Sequence, residues 1–74
     1  LNLQFLLRAI VQLDQAEPVD LAEATRLKPP QVRDALRLLQ TRGYLDVHEG
    51  RYAVAWRWYR PVLVTLQRQH LLAS

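Results

Sequence analysis

The chain has no cysteine and no methionine, only two glycines and one phenylalanine, and a single serine at its last position, Ser74. Without cysteine there is no disulfide framework, no thiolate metal site and no dithiol redox centre. That composition is compatible with the cytosol, and a cytoplasmic location is the expectation. The longest apolar run falls far short of the ~20 residues that span a bilayer, so no membrane insertion is expected, and no signal-peptide pattern opens the chain. The isolated glycines, Gly43 and Gly50, exclude a glycine-rich phosphate loop. His48 and His70 are far apart, and Asp46-x-His48 reads as hairpin surface rather than a metal pair. With no spaced carboxylate pair and no nucleophile beside a base, neither enzyme, metal nor cofactor is expected.

What is present is a hydrophobic half, 50% of 74 residues, which argues for a packed globule rather than disorder. A chain this short makes one domain and buries only about 60% of its unfolded surface, so one modest core must hold it. It begins at Leu1 inside an amphipathic pattern, which points to a domain excised from a longer protein.

The net charge of +3 is unevenly spread. Arg8 and Arg26 face Asp14, Glu17, Asp20 and Glu23 in residues 1–27, leaving −2. Lys28, Arg33, Arg37 and Arg42 against Asp34 give +3 over 28–42. Asp46 and Glu49 give −2 over 43–50, and four arginines with no acid give +4 over 51–74. Two basic blocks fit either one face toward an anionic partner or ordinary solvated helix surfaces.

Apolar spacing orders the elements. Leu3, Leu6, Leu7, Ile10 and Leu13 recur at three and four, a helix over about 3–14 with Asn2 as its cap. Pro18 breaks the chain, and Val19 is expected to form a stub strand. Asp20 and Glu23 have the spacing of a capping box for a short helix from Leu21 to Thr25 or Arg26, with Leu27 plugging the core after it. Pro29 or Pro30 opens a third helix whose Val32, Ala35, Leu36 and Leu39 form one buried face, and Gly43 ends it. Residues 44–47 and 51–56 alternate around a glycine turn, a β-hairpin. Pro61 then restarts a helix that carries Val62, Leu63, Leu66, Leu71 and Leu72 to the end of the chain. The fold class is mostly α with one small antiparallel β-hairpin.

Val19 to Val54, VDLAEATRLKPPQVRDALRLLQTRGYLDVHEGRYAV, resembles the winged helix-turn-helix domains of small bacterial repressors. The resemblance covers about half the chain and rests on LAEATRL, QVRDALRLLQTRGYL and the glycine-tipped wing. It implies that the third helix enters the major groove of duplex DNA as part of a transcriptional regulator. Arg33 and Arg37, one turn apart on the side opposite the apolar stripe, would then read guanine edges or phosphates. Lys28, Gln31 and Arg42 would anchor the backbone and Arg51 would assist from the wing. Asp46 and Glu49 make that wing acidic, so the helix is expected to carry the contact. The same fold also serves as a protein-docking module.

The segment WRWY, Trp56 to Tyr59, is the other unusual feature. In an extended chain Val54, Trp56 and Trp58 share a side, so Trp56 is expected to plug the core while Trp58 or Tyr59 packs on the last helix. Alternatively these aromatics form a hot spot for a partner, since tryptophan, tyrosine and arginine are enriched there. The last helix has apolar residues on more than one side. Trp58, Tyr59, Val64 and Leu71 are therefore the candidate interface for a homodimer or for a parent-chain partner.

Overall fold

A computed structural model describes residues 3–72. Its order is α1 (Leu3–Leu13), α2 (Pro18–Thr25), α3 (Pro29–Thr41), β1 (Leu45–His48), β2 (Arg51–Val54) and α4 (Trp56–Arg68). Helices take 64% of the described residues and the strands form one small antiparallel sheet, so the protein is mostly α with a hairpin wing. No helix among the described residues is long and apolar enough to cross a membrane.

In α1 the three-four spacing buries Leu6, Ala9 and Ile10, but Leu13, expected in the same stripe, is 44% exposed at the end of the helix. The chain reverses at Asp14, which takes φ 68. The expected cap Asn2 lies outside the described residues.

The stub strand falls at Ala16 instead of Val19. Ala16 is fully buried and exchanges both backbone hydrogen bonds with Tyr52 of β2, at 2.9 and 2.8 Å. Val19 is displaced because Pro18 acts as the first residue of α2 rather than as a breaker. A proline there loses no hydrogen bond and brings a helical φ. The cap moves with it: the Glu17 N–H donates to Asp20 Oδ2 at 3.3 Å, so Asp20 is the third helical residue and not the cap expected with Glu23.

A tight turn links α2 to α3. Arg26 holds the left-handed φ of 60, a position most residues occupy at a cost of about 1–2 kcal/mol. Thr25 Oγ1 supports the turn, donating to the Leu21 carbonyl at 2.6 Å and accepting the Leu27 N–H at 3.4 Å. Leu27 packs half-buried against the core as expected. α3 opens at Pro29 with Gln31 Oε1 accepting the Lys28 N–H at 3.0 Å. Lysine carries no acceptor, so this is one half of a capping box. The far end closes in a Schellman motif: Gly43 at φ 80 donates to the Gln40 carbonyl and Tyr44 to that of Leu39, both at 3.0 Å.

The hairpin pairs Leu45 with Val54 and His48 with Arg51. Its two-residue tip, Glu49 and Gly50, has positive φ at both positions, 53 and 76, as a type I′ turn requires. The hairpin base, Leu45 and Val54, is buried in the core, and Tyr52 of β2 packs half-buried against it.

α4 departs most from expectation. It begins at Trp56, not Pro61, and ends at Arg68, so Leu71 and Leu72 lie beyond it. The strand gives way where the Trp58 N–H donates to the Ala55 carbonyl at 2.8 Å, closing the first turn of α4, while the Ala55 N–H still bonds the Tyr44 carbonyl across the hairpin. Trp56 consequently points outward, 81% exposed, and Val54 and Ala55 fill the place expected for it. At the other end His70 takes φ 60, and the Leu71 N–H donates to the Leu66 carbonyl at 2.9 Å. That second Schellman turn folds Leu71 back on the core.

The core joins all parts: Leu6 and Ile10 of α1, Leu21 of α2, Val32 and Leu36 of α3, and Leu66 of α4 are its largest fully buried side chains. No polar or charged residue among the described ones is buried within it.

Candidate nucleic-acid interface

The apolar stripe of α3 fixes what its other side presents. With Val32, Ala35, Leu36 and Leu39 buried, a rotation of about 100° per residue sends Arg33 and Arg37 outward together. Both are exposed, as are Lys28, Gln31, Asp34, Gln40 and Thr41. The ion pair Arg51–Glu17 is the one within 4.0 Å among the described residues, so Asp34 clasps neither arginine. Two exposed guanidinium groups thus stand one turn apart with no carboxylate within 4.0 Å among the described residues.

The other expected contacts are not all on this face. Lys28 sits at the helix start beside it, and Gln31 has committed its carbonyl oxygen to the Lys28 N–H. Arg42 caps the C-terminal end, on the opposite flank of α3 from Arg33 and Arg37. There it lines clefts shared with Tyr44, Trp56 and Trp58. Arg51 leans away from the wing toward α2, with Nε 3.8 Å from Glu17 Oε1. Both side chains are half exposed, so the pair is worth little in stability. It does lower the free positive charge of a wing that already carries Asp46 and Glu49. The structure therefore puts Arg33 and Arg37 on one face, leaves Lys28 exposed at the start of the helix, and sets Arg42 and Arg51 apart.

The candidate partner interface is likewise divided. Trp58 is partly covered, edge-on against the Tyr44 ring with centroids 4.8 Å apart. Tyr59 is 43% exposed beside it. Val64 lies on the far side of α4, among Arg57, Arg60 and Arg68, and Leu71 is folded back past the helix end. Instead of one apolar strip, α4 carries a basic outer ridge with Trp56 at its start. The Arg57 guanidinium sits 5.8 Å from the Trp56 ring, a cation–π contact.

Trp56 is the residue the sequence reading misplaced. A usable signal existed: Trp58, Val62 and Leu66 recur at intervals of four across Pro61, which is helical spacing. Among the described residues no three histidine or carboxylate side chains converge on a metal position. No protein-family model matches the chain, and it shows no significant similarity to a curated protein or to a solved structure.

Proposed function

We propose that the chain is the DNA-binding domain of a transcriptional regulator, a winged helix-turn-helix that lays α3 in the major groove of duplex DNA. The reading is carried by Arg33 and Arg37: exposed, one turn apart, without an acidic partner, on the outward face of the second helix of a helix-turn-helix. A guanidinium in that position bonds guanine O6 and N7 or a phosphate, and Lys28 at the start of the helix adds a backbone contact. Arg42 and Arg51 are the weaker members of the expected set, because the first lies on the other flank and the second is held by Glu17. The acidic wing contributes little. On this reading the domain works in the cytoplasm.

Titration with random-sequence duplex at low and moderate salt tests this reading. Neutralising two to three phosphates gives a slope of log affinity against log salt of about −2 to −3. Absence of binding at low salt, where the helix is most attractive, would refute it.

One observation favours a second reading, a protein-docking module. Trp56 is 81% exposed next to Arg57, and Trp58 and Tyr59 complete an aromatic rim. On that reading Trp56→Ala or Trp58→Ala abolishes capture of a protein partner while arginine changes on α3 are silent.

A further inference from the structure

The helix-turn-helix carries a cleft that neither reading uses. It lies between α1, α2 and the turn into α3, is open to solvent on one side and has a volume of about 560 Å³, within the roughly 300–1,000 Å³ of small-molecule sites. Phe5 and Leu27 give it apolar walls, Ala24 leaves room at its edge, and Gln12 and Gln31 supply amides. Arg8 enters from α1. Its Nε is fully enclosed yet has no hydrogen-bond partner. A buried, unpaired N–H of a charged group is destabilising, because it has given up water for nothing.

The lining holds one cation and no carboxylate. Gln31, whose Oε1 is engaged by the Lys28 N–H, offers its amide hydrogens. Cation, amide donors and a half-exposed aromatic wall select one ligand chemistry, an anionic head on an apolar body. We propose that this cleft binds a small amphipathic carboxylate. On binding, Arg8 turns its enclosed Nε–H and a neighbouring Nη–H into the cleft to donate side-on to the carboxylate, and the hydrocarbon part covers Phe5 and Leu27. Such a ligand bridges α1 to the turn at Leu27, next to the left-handed Arg26, and stiffens the entry to α3. The site requires no DNA and stands whether or not the DNA reading holds.

The test uses the isotope-labelled 74-residue chain with 3-phenylpropanoate and, as neutral isostere, 3-phenylpropanamide. The carboxylate shifts the Arg8 Nε–H resonance saturably with a Kd of about 1 mM or tighter, and the amide binds about tenfold or more weakly. Ten times the Kd raises the thermal midpoint by about 5 °C or more and slows exchange of the Leu27 and Gln31 amides. Arg8→Met weakens binding at least about tenfold. Should Arg8→Met not fold, Ala24→Trp decides: Ala24 is exposed and outside the core, so a large ring there blocks the cleft and leaves the domain folded. No saturable shift up to about 10 mM, equal binding of the amide, or full affinity in Ala24→Trp overturns the proposal.

Discussion

Helices α3 and α4 are both 13 residues long, both contain proline, and both end in a Schellman turn, yet they use these features in opposite ways. In α3 the prolines are the first two residues, where the missing N–H groups have no helical acceptor. In α4 Pro61 is the sixth residue and leaves the Arg57 carbonyl without its helical donor. α3 closes on Gly43, suited to positive φ, and α4 on His70, which is not. The outward faces differ too: an arginine pair without aromatics on α3, a basic ridge headed by an exposed tryptophan on α4. Local sequence signals thus agree with one another in α3 and conflict in α4. What settles α4 is tertiary: Trp58, Val62 and Leu66 need one continuous helix to reach the core and Tyr44.

The largest expected effect contrasts the buried side of α3 with the outer side of α4. Leu36 is 1% exposed, so Leu36→Ala costs about 2–5 kcal/mol, enough to unfold most of so small a domain. Val64→Ala stays within about 0.5 kcal/mol because Val64 is 39% exposed. Urea denaturation measures both, and equal losses would put the register of one helix in error.

Proline substitutions sharpen the comparison. Pro61→Ala restores a helical N–H and removes a ring clash, and is expected to stabilise by about 1–3 kcal/mol after the entropy regained by the unfolded chain is counted. Pro29→Ala, at the first helical position, destabilises by less than about 1 kcal/mol. If Pro61→Ala were destabilising, the helix would begin at Pro61 after all.

The two turns give a smaller difference. A Cβ on Gly43 meets nothing within 4 Å, so Gly43→Ala costs only the left-handed backbone, about 1 kcal/mol. His70→Gly at the matching turn is neutral or stabilising by up to about 1 kcal/mol. Thermal melts of the two variants should shift in opposite directions or not at all for His70→Gly; a loss there would mean the imidazole contributes a contact.

Much of this was legible in the residues. The buried face of α3, Leu27, the Gly43 turn and the presence of a glycine-tipped hairpin follow from period, proline and glycine placement, because each signal there is local and unopposed; the strand ends, expected at 44–47 and 51–56, fall at 45–48 and 51–54. The Ala16 strand was not legible, since one alanine carries no pattern and its pairing with Tyr52 is set by the path of the chain. Trp56 was misplaced because alternation in AVAWRW imitates a strand, and only the turn at Ala55 ends it. At the candidate interface the sequence showed which cations share a face, Arg33 with Arg37. It did not show that Glu17, distant in sequence, takes Arg51, nor that the Arg8 Nε is enclosed without a partner.

The central claim is that α3, not the equally basic ridge of α4, meets DNA. The direct test is the salt dependence of duplex binding for Arg33→Ala and Arg37→Ala beside Arg57→Ala and Arg60→Ala. Each α3 change that removes a phosphate contact reduces the slope of log affinity against log salt by about 0.9. A lost base contact instead shows as about 1–3 kcal/mol less discrimination between sequences. The α4 changes leave slope and discrimination unaltered. Slopes lowered by Arg57→Ala and Arg60→Ala, with Arg33→Ala and Arg37→Ala silent, would contradict the account.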